Sequence, residues 1–141
     1  MDHAERVAYL NGRIVPESEA LISFRDSMAL NGEGVYDTER TFEGRIFKLQ
    51  EHLDRLWRSL AYLRIPPPLE MEELAEITKE VASRNYRVMQ EDTWVSQRIS
   101  RGTPIGCTIL AFTCALAIAS ASTARSAGRI EGRVRLGRSA R

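Results

Sequence analysis

The chain has 141 residues, of which 43% are hydrophobic and 28% are charged, and its formal net charge at pH 7 is +1. This length and composition predict one globular domain with one core, and they exclude a disordered chain. The charge is too small to create an overall field that attracts nucleic acid or an anionic membrane, so neither is expected as a partner.

Three further observations predict a cytoplasmic protein. The longest apolar run, residues 109–119, is too short to cross a bilayer and is interpreted as a buried strand. Residues 1–6 lack the pattern of a secretory signal. Cys107 and Cys114 have no neighbouring ligand pair, so we expect reduced core cysteines and neither a disulfide framework nor a metal site.

The first fifty residues predict two hairpins and a helical turn. Residues 7–10 and 13–16 are predicted to be strands around Asn11-Gly12, a dipeptide that accepts the positive φ angles of a type I′ turn. Residues 20–23 are expected to be extended, and residues 26–30 to form a capped helical turn that ends at Asn31-Gly32. Strands 35–42 and 45–49 are predicted to meet at Glu43-Gly44, where glycine can take the left-handed conformation.

Two amphipathic helices follow. Leucines at positions 49, 53, 56, 60 and 63 recur at helical spacing, and this helix must end at the prolines at positions 66–68. The second helix is predicted from Glu70 to about Asn85. Strands 93–99 and 108–118 then flank a turn at 101–104. The sum is an α+β domain with a mostly antiparallel sheet and two packed helices.

The composition changes after Ile118. Residues 119–141 contain six arginines, one glutamate and no aromatic residue. Such a segment cannot bury a core. We therefore expect a domain over residues 1–118 and a disordered, Arg/Gly/Ala/Ser-rich tail over residues 119–141.

An ordered series of short motifs runs from residue 7 to residue 118. It consists of Tyr9-Leu10-Asn11-Gly12, Val15-Pro16, Asp26, Gly32-Glu33-Gly34-Val35-Tyr36, Phe47-Lys48-Leu49, His52-Leu53-Asp54-Arg55-Leu56, Ser59 and Arg101-Gly102. This series resembles the class IV aminotransferases, the fold-type IV group of branched-chain and D-amino-acid enzymes that use pyridoxal 5'-phosphate. The resemblance implies the small N-terminal domain of the D-amino-acid aminotransferase-like fold and a homodimer. It also implies amino-group transfer between an amino acid, branched-chain or similar, and a 2-oxo acid.

The resemblance implies that Arg55 binds the cofactor phosphate. A guanidinium group supports this role because its planar donors match phosphate oxygens and it stays charged; the alternative is a solvated helix arginine. His52 could act as a base or ligand if taken alone, but its family counterpart is structural. Gly32-x-Gly34 lacks the third glycine and the helix of a nucleotide loop, so a tight turn is the better interpretation.

The resemblance also places the strand of Tyr36, Thr38 and Arg40 at the substrate pocket. Alternation along a strand directs these three side chains to one face. Arg40 could pair with a substrate carboxylate, although ordinary cross-strand pairs would explain the same residues. Arg98 and Arg101 are further candidates for that carboxylate.

Chemistry of this kind requires a lysine amine that holds the cofactor. The chain has only Lys48 and Lys79, and neither matches the family lysine, so no catalytic residue is assigned. We expect the C-terminal catalytic domain to be absent, through a truncated or frame-shifted reading or a naturally short domain. An aminodeoxychorismate lyase-type enzyme and a non-catalytic dimerisation module stay open as alternatives.

Overall fold

The computed structural model describes residues 5–104 and 106–115. Its strands are β1 (Val7–Leu10), β2 (Arg13–Pro16), β3 (Gly34–Phe42), β4 (Arg45–Ile46), β5 (Thr93–Thr103) and β6 (Gly106–Ala115). They form one six-stranded sheet in the order β2-β1-β6-β5-β3-β4, and each neighbouring pair is antiparallel. The domain boundary near residue 118 and the tail at 119–141 lie outside the described residues.

Both predicted hairpin turns are present. Leu10 pairs with Arg13 across Asn11 and Gly12, which have φ angles of 47° and 92°, as a type I′ turn requires. In the second turn Gly44 has a φ of 74°, and a Cβ there would lie 2.8 Å from the ring of Tyr86. Only glycine satisfies both conditions.

Some predicted strand limits were wrong. β4 has two residues instead of five, because Lys48 takes a left-handed conformation with a φ of 54° and starts the next helix. Residues 20–23, which were expected to be extended, belong to no strand of the sheet and follow a short 3-10 helix at Glu17–Glu19. β5 continues through most of the predicted turn, with an irregularity between Ser100 and Thr103 where Gly102 has a φ of 77°.

The helices are α1 (Ser27–Asn31), α2 (Leu49–Leu63) and α3 (Met71–Met89). Asp26 caps α1 by accepting a hydrogen bond from the Met28 amide. α2 ends where Arg64 becomes left-handed, just before the prolines. α3 continues about four residues beyond its predicted end, because no glycine or proline interrupts the segment before Gln90.

The two long helices cover one face of the sheet. Leu53, Leu56 and Leu60 of α2 are at most 1% exposed, and they share one core cluster with residues of α3, β3, β5 and β6. The periodicity that predicted two packed helices therefore describes most of their buried stripe, but Leu63 at the end of α2 is 38% exposed. No helix in the described part of the chain is long and apolar enough to cross a membrane.

Candidate functional site

Strand β3 divides its polar side chains between two faces of the sheet. Val35, Asp37, Glu39 and Thr41 are buried, whereas Tyr36, Thr38, Arg40 and Phe42 are half-buried or exposed. The shared face of Tyr36, Thr38 and Arg40 is thus confirmed. Two acidic side chains, Asp37 and Glu39, are directed to the side of the helices, where burial of a charge requires a partner.

Asp37 finds its partners on α2. Arg55 donates to it through two hydrogen bonds, Nε to Oδ2 and Nη2 to Oδ1, both 2.6 Å long. The Nδ1 atom of His52 lies 2.8 Å from the same Oδ1. Because His52 and Arg55 are three residues apart, one helix face presents both to the carboxylate.

The two sides of this ion pair differ in exposure. The Asp37 side chain is 3% exposed, whereas that of Arg55 is 57% exposed. Burial alone would raise the pKa of Asp37, but the hydrogen bonds from Arg55 and His52 outweigh it and lower the pKa below its ordinary value. Asp37 therefore stays ionised and holds Arg55 in one orientation at the surface.

Glu39 is a second buried acid on the same face. Its Oε1 accepts a 2.6 Å hydrogen bond from Gln97 Nε2, which also donates to Thr78 Oγ1. Burial raises the pKa of Glu39 to about 7, against the lowering effects of Gln97 and of the charge of His52. At neutral pH this carboxyl is divided between its charged and neutral forms.

Ligand atoms of Asp37, Glu39 and His52 all lie within 4.8 Å of one another. A cation would have to share this place with the guanidinium of Arg55, which already contacts both Asp37 oxygens. The arrangement is therefore an ion-pair network.

The opposite face of β3 carries aromatic rings and arginines. The guanidinium of Arg98 lies 5.0 Å from the ring centre of Tyr36 and 5.5 Å from that of Phe112, within cation–π range. Arg40 lies 5.0 Å from the ring centre of Phe42 in the same way. Its buried Nε has no hydrogen-bond partner among residues 5–104 and 106–115.

Two pockets include residues of β3, a strand that β4 pairs with only at Thr41 and Phe42. A pocket of about 510 Å³ combines side chains from both faces of the strand and so lies across its edge; it is lined by Thr38, Glu39, Arg40, Phe42, Phe47, His52 and Trp94. A second pocket of about 520 Å³ lies along α2 and is lined by Val35, Arg55, Arg58, Ser59, Tyr62 and Leu63. Arg55 and Arg40 therefore contribute to different pockets.

Arg101 lines neither of these pockets. Its guanidinium donates to the carbonyls of Leu63 and Arg64 at the end of α2 and lies 3.7 Å from a Glu33 oxygen. A cation at the negative end of a helix dipole is stabilising. This contact gives Arg101 a structural role, and its binding of a substrate carboxylate stays a prediction.

The glycines, lysines and cysteine that the sequence singled out lie in turns or at the surface. Gly32 ends α1 with a φ of 70°, and a Cβ on Gly34 would come 2.5 Å from Met28, which fits a tight turn. Lys48 and Lys79 are more than half exposed and pair with Glu51 and Glu76. Cys107 is an unbonded, half-buried residue and not a core cysteine.

Asp37 and Glu39 were not predicted as site residues. Their signal was available, since two acids at alternate positions of a strand share one face, and the next predicted helix carries His52 and Arg55. Gln97 and Thr78 had no such signal, because only the packed sheet brings them to Glu39.

Comparison with known proteins places this fold in a family. The model of the family "Amino-transferase class IV" matches residues 34–131, which is more than half of the chain, and the chain belongs to this family. That match extends beyond residue 118, where we had expected the domain to end. The antiparallel sheet with its three helices has the fold of the N-terminal domain of class IV aminotransferases.

Individual relatives agree with this assignment. The chain is 36% identical over 94 residues to a putative branched-chain-amino-acid aminotransferase of Methanocaldococcus jannaschii, covering 67% of this chain and 32% of that protein. It is 29% identical over 77 residues to a D-alanine aminotransferase of Staphylococcus haemolyticus, covering 55% of this chain and 27% of that protein. The chain therefore spans between about a quarter and a third of the length of these relatives.

Solved structures show the same fold. A branched-chain amino acid aminotransferase from T.th., complexed with N-(5'-phosphopyridoxyl)-L-glutamate, superimposes with a TM-score of 0.70 at 25% identity, covering 79% of this chain and 41% of the other. A hypothetical aminotransferase from Mycobacterium tuberculosis in its PLP-bound form gives a TM-score of 0.71 at 21% identity, covering 77% and 39%.

Proposed function

We propose that this domain binds the phosphate end of pyridoxal 5'-phosphate at Arg55 and contributes to the substrate pocket of a transaminase. The reaction would transfer an amino group between an amino acid, branched-chain or similar, and a 2-oxo acid. The observation that carries the proposal is the exposed guanidinium of Arg55, oriented by the buried Asp37 beside an open pocket.

The geometry of Arg55 suits a phosphate. Nε and Nη2 donate to Asp37, which leaves the Nη1 hydrogens on the exposed side for phosphate oxygens. A guanidinium fixed before the ligand arrives loses less side-chain entropy on binding. Arg58 and Ser59 line the same pocket and offer a further charge and a hydroxyl donor.

The pocket across the edge of β3 suits a substrate with a bulky apolar side chain. Phe42, Phe47 and Trp94 provide its apolar walls, and the first two rings pack edge to face at 5.7 Å. Arg40 also lines this pocket and supplies a guanidinium group for a carboxylate. Thr38 lines the pocket beside Arg40, and Tyr36 projects from the same face of β3. Pyridoxal phosphate, when bound, would supply the electron sink that amino-group transfer requires.

Replacement of Arg55 tests this proposal. Pyridoxamine 5'-phosphate is the appropriate probe because it carries the phosphate without the aldehyde that reacts with surface lysines. Arg55→Ala should weaken its binding by about 1.5–3 kcal/mol, the contribution of a hydrogen bond to a charged group. Binding is measured by calorimetry on the full chain.

Arg84→Ala is the matched control. Arg84 is also an exposed helix arginine, 49% exposed, and its Nε donates a 2.6 Å hydrogen bond to Glu80. This variant should bind the probe as the original chain does. Equal affinities for all three proteins would show that Arg55 is not the phosphate contact.

A non-catalytic module is the second candidate, and the two lysines favour it. Lys48 and Lys79 are exposed and paired with glutamates, and each lies outside the pocket that contains Arg55. Incubation with pyridoxal phosphate and borohydride, followed by peptide mass spectrometry, distinguishes the candidates. A stoichiometric adduct on one lysine would support an active enzyme, and sparse modification of both would support the module.

A homodimer is part of the proposal. Leu21, Phe24 and Leu30 are 78%, 73% and 60% exposed and fall within ten residues. Apolar exposure of this kind is typical of an interaction surface. Light scattering should give twice the mass of one chain, and a monomer at high concentration would contradict this part of the proposal.

A further inference from the structure

Glu39 is a buried acid that the proposed phosphate contact does not use. Glu39 is only 1% exposed to solvent. Gln97 binds one carboxyl oxygen, whereas Oε2 is buried and has no hydrogen-bond partner within the described ranges. Most buried carboxyl oxygens in proteins are paired. The charge of Glu39 is therefore only partly compensated by its own hydrogen bonds.

The charged groups that act on Glu39 belong to two elements. Asp37 lies two positions earlier on β3, and its negative charge opposes the ionisation of Glu39. From α2 the charge of His52 favours that ionisation, and the Arg55 guanidinium, which the charge of Glu39 attracts, acts in the same direction. The other elements in contact, β5 and α3, present the uncharged Gln97 and Thr78.

A carboxyl oxygen of Glu39 lies within 4.8 Å of ligand atoms of Asp37 and His52, and both of these residues contact the Arg55 guanidinium. The hydrogen bond and charge of Asp37 raise the pKa of Arg55 most, and the charge of Glu39 adds to them. Two carboxylates on one strand thus attract the same guanidinium. One of them, Asp37, stays charged at neutral pH, and the other can lose its charge there.

We propose that Glu39 is a positioning residue whose charge sets how strongly the sheet holds Arg55 and how readily Arg55 accepts an anion. The inference rests on the proposed phosphate role of Arg55. When Glu39 is neutral, Arg55 balances Asp37 and the site can accept a phosphate-like anion. When Glu39 is ionised, a second negative charge holds Arg55 towards the sheet and repels the anion. Anion affinity should therefore fall as the pH rises through about 7.

The first test uses the full chain without a ligand. NMR follows the Arg55 Nε–H resonance from about pH 5.5 to 8.5 in the original chain, in Glu39→Gln and in the control Glu51→Gln. Glu51 is an exposed acid of α2, the helix that carries Arg55, and it is next to His52. We expect a transition with a midpoint of about 7 in the original chain and in the control, and its loss in Glu39→Gln. Since His52 is intact in every protein, a transition that survives in Glu39→Gln belongs to His52 and overturns the inference.

The second test uses sulfate, which keeps its charge over this range while phosphate does not. Affinity for sulfate should fall on the order of fivefold between pH 6 and pH 8 in the original chain, the effect of one charge on a divalent anion about 8–9 Å away in a dielectric close to that of water. In Glu39→Gln the fall should be clearly smaller. An equal fall in both proteins overturns the role of Glu39 and leaves that of Arg55 intact. No difference in sulfate binding between the original chain and Arg55→Ala overturns the proposed phosphate contact, and this inference with it.

Discussion

The buried carboxyl of Glu39 should make the protein less stable as the pH rises. Its pKa is raised from the ordinary value of 4.5 to about 7. Between these two pH values the folded protein retains a proton that the unfolded chain has lost. This group therefore favours folding most at lower pH, where both states are protonated. This contribution is full below pH 4.5, declines above it, and is lost as the pH rises through about 7.

The size of this effect follows from the pKa shift. One pKa unit corresponds to about 1.4 kcal/mol, so this group should remove about 3 kcal/mol from the free energy of unfolding between acidic and mildly alkaline pH. Glu39→Gln keeps the shape and an acceptor oxygen for Gln97, and it cannot ionise. Relative to the original chain, the variant should gain about 3 kcal/mol between about pH 4.5 and about pH 8.

Urea unfolding at a series of pH values measures this difference. The comparison between the two proteins cancels the titration of the groups that they share, because only Glu39 differs. Glu51→Gln serves as the control and should differ from the original chain by a nearly constant amount. A pH-independent difference between Glu39→Gln and the original chain would refute the reasoning, since Glu39 would then have similar pKa values in the folded and unfolded states.

Three further outcomes are expected. Asp37→Asn should lower the free energy of unfolding at neutral pH by about 1–3 kcal/mol. Because the pKa of Asp37 is lowered on folding, this difference from the original chain should disappear as acid protonates the carboxylate. A difference that stays constant down to low pH in urea unfolding would contradict this. Leu56→Ala should cost about 2–5 kcal/mol by cavity formation, since Leu56 is 1% exposed, and a cost below about 1 kcal/mol would argue against the core described above. The 141-residue chain with pyridoxal phosphate should show no steady amino-group transfer in a coupled assay, and turnover that is abolished by Lys48→Ala or Lys79→Ala would contradict the interpretation of these lysines.

Local chemistry was enough to predict most elements. Asn11-Gly12 predicts its turn because few other dipeptides tolerate two positive φ angles. The leucines of α2 predict a helix because their spacing matches its turn, and the prolines after Ile65 predict its end. The common face of Tyr36, Thr38 and Arg40 follows from the alternation of a strand. These features depend on residues close together in the chain.

The relative position of distant segments could not be obtained in this way. β3 lies beside β5, which follows it by about fifty residues, and no local pattern specifies which strands become neighbours. Arg101 illustrates the consequence, because its contacts depend on where α2 ends in space. The position of Arg101 beside Gly102 in the sequence carried no information about where the end of α2 would lie.

Some features of the candidate site could likewise be predicted from local sequence, whereas others depend on the tertiary structure. The identities of His52 and Arg55 and their shared helix face could be derived from spacing, and so could the shared strand face of Asp37 and Glu39. Their contact across the sheet–helix interface, the burial that separates the pKa values of the two acids, and the pockets at the open edge of β3 arise only in the folded chain. Periodicity determines which way a side chain points, but solvent exclusion and charge–charge distances depend on all the elements packed around it.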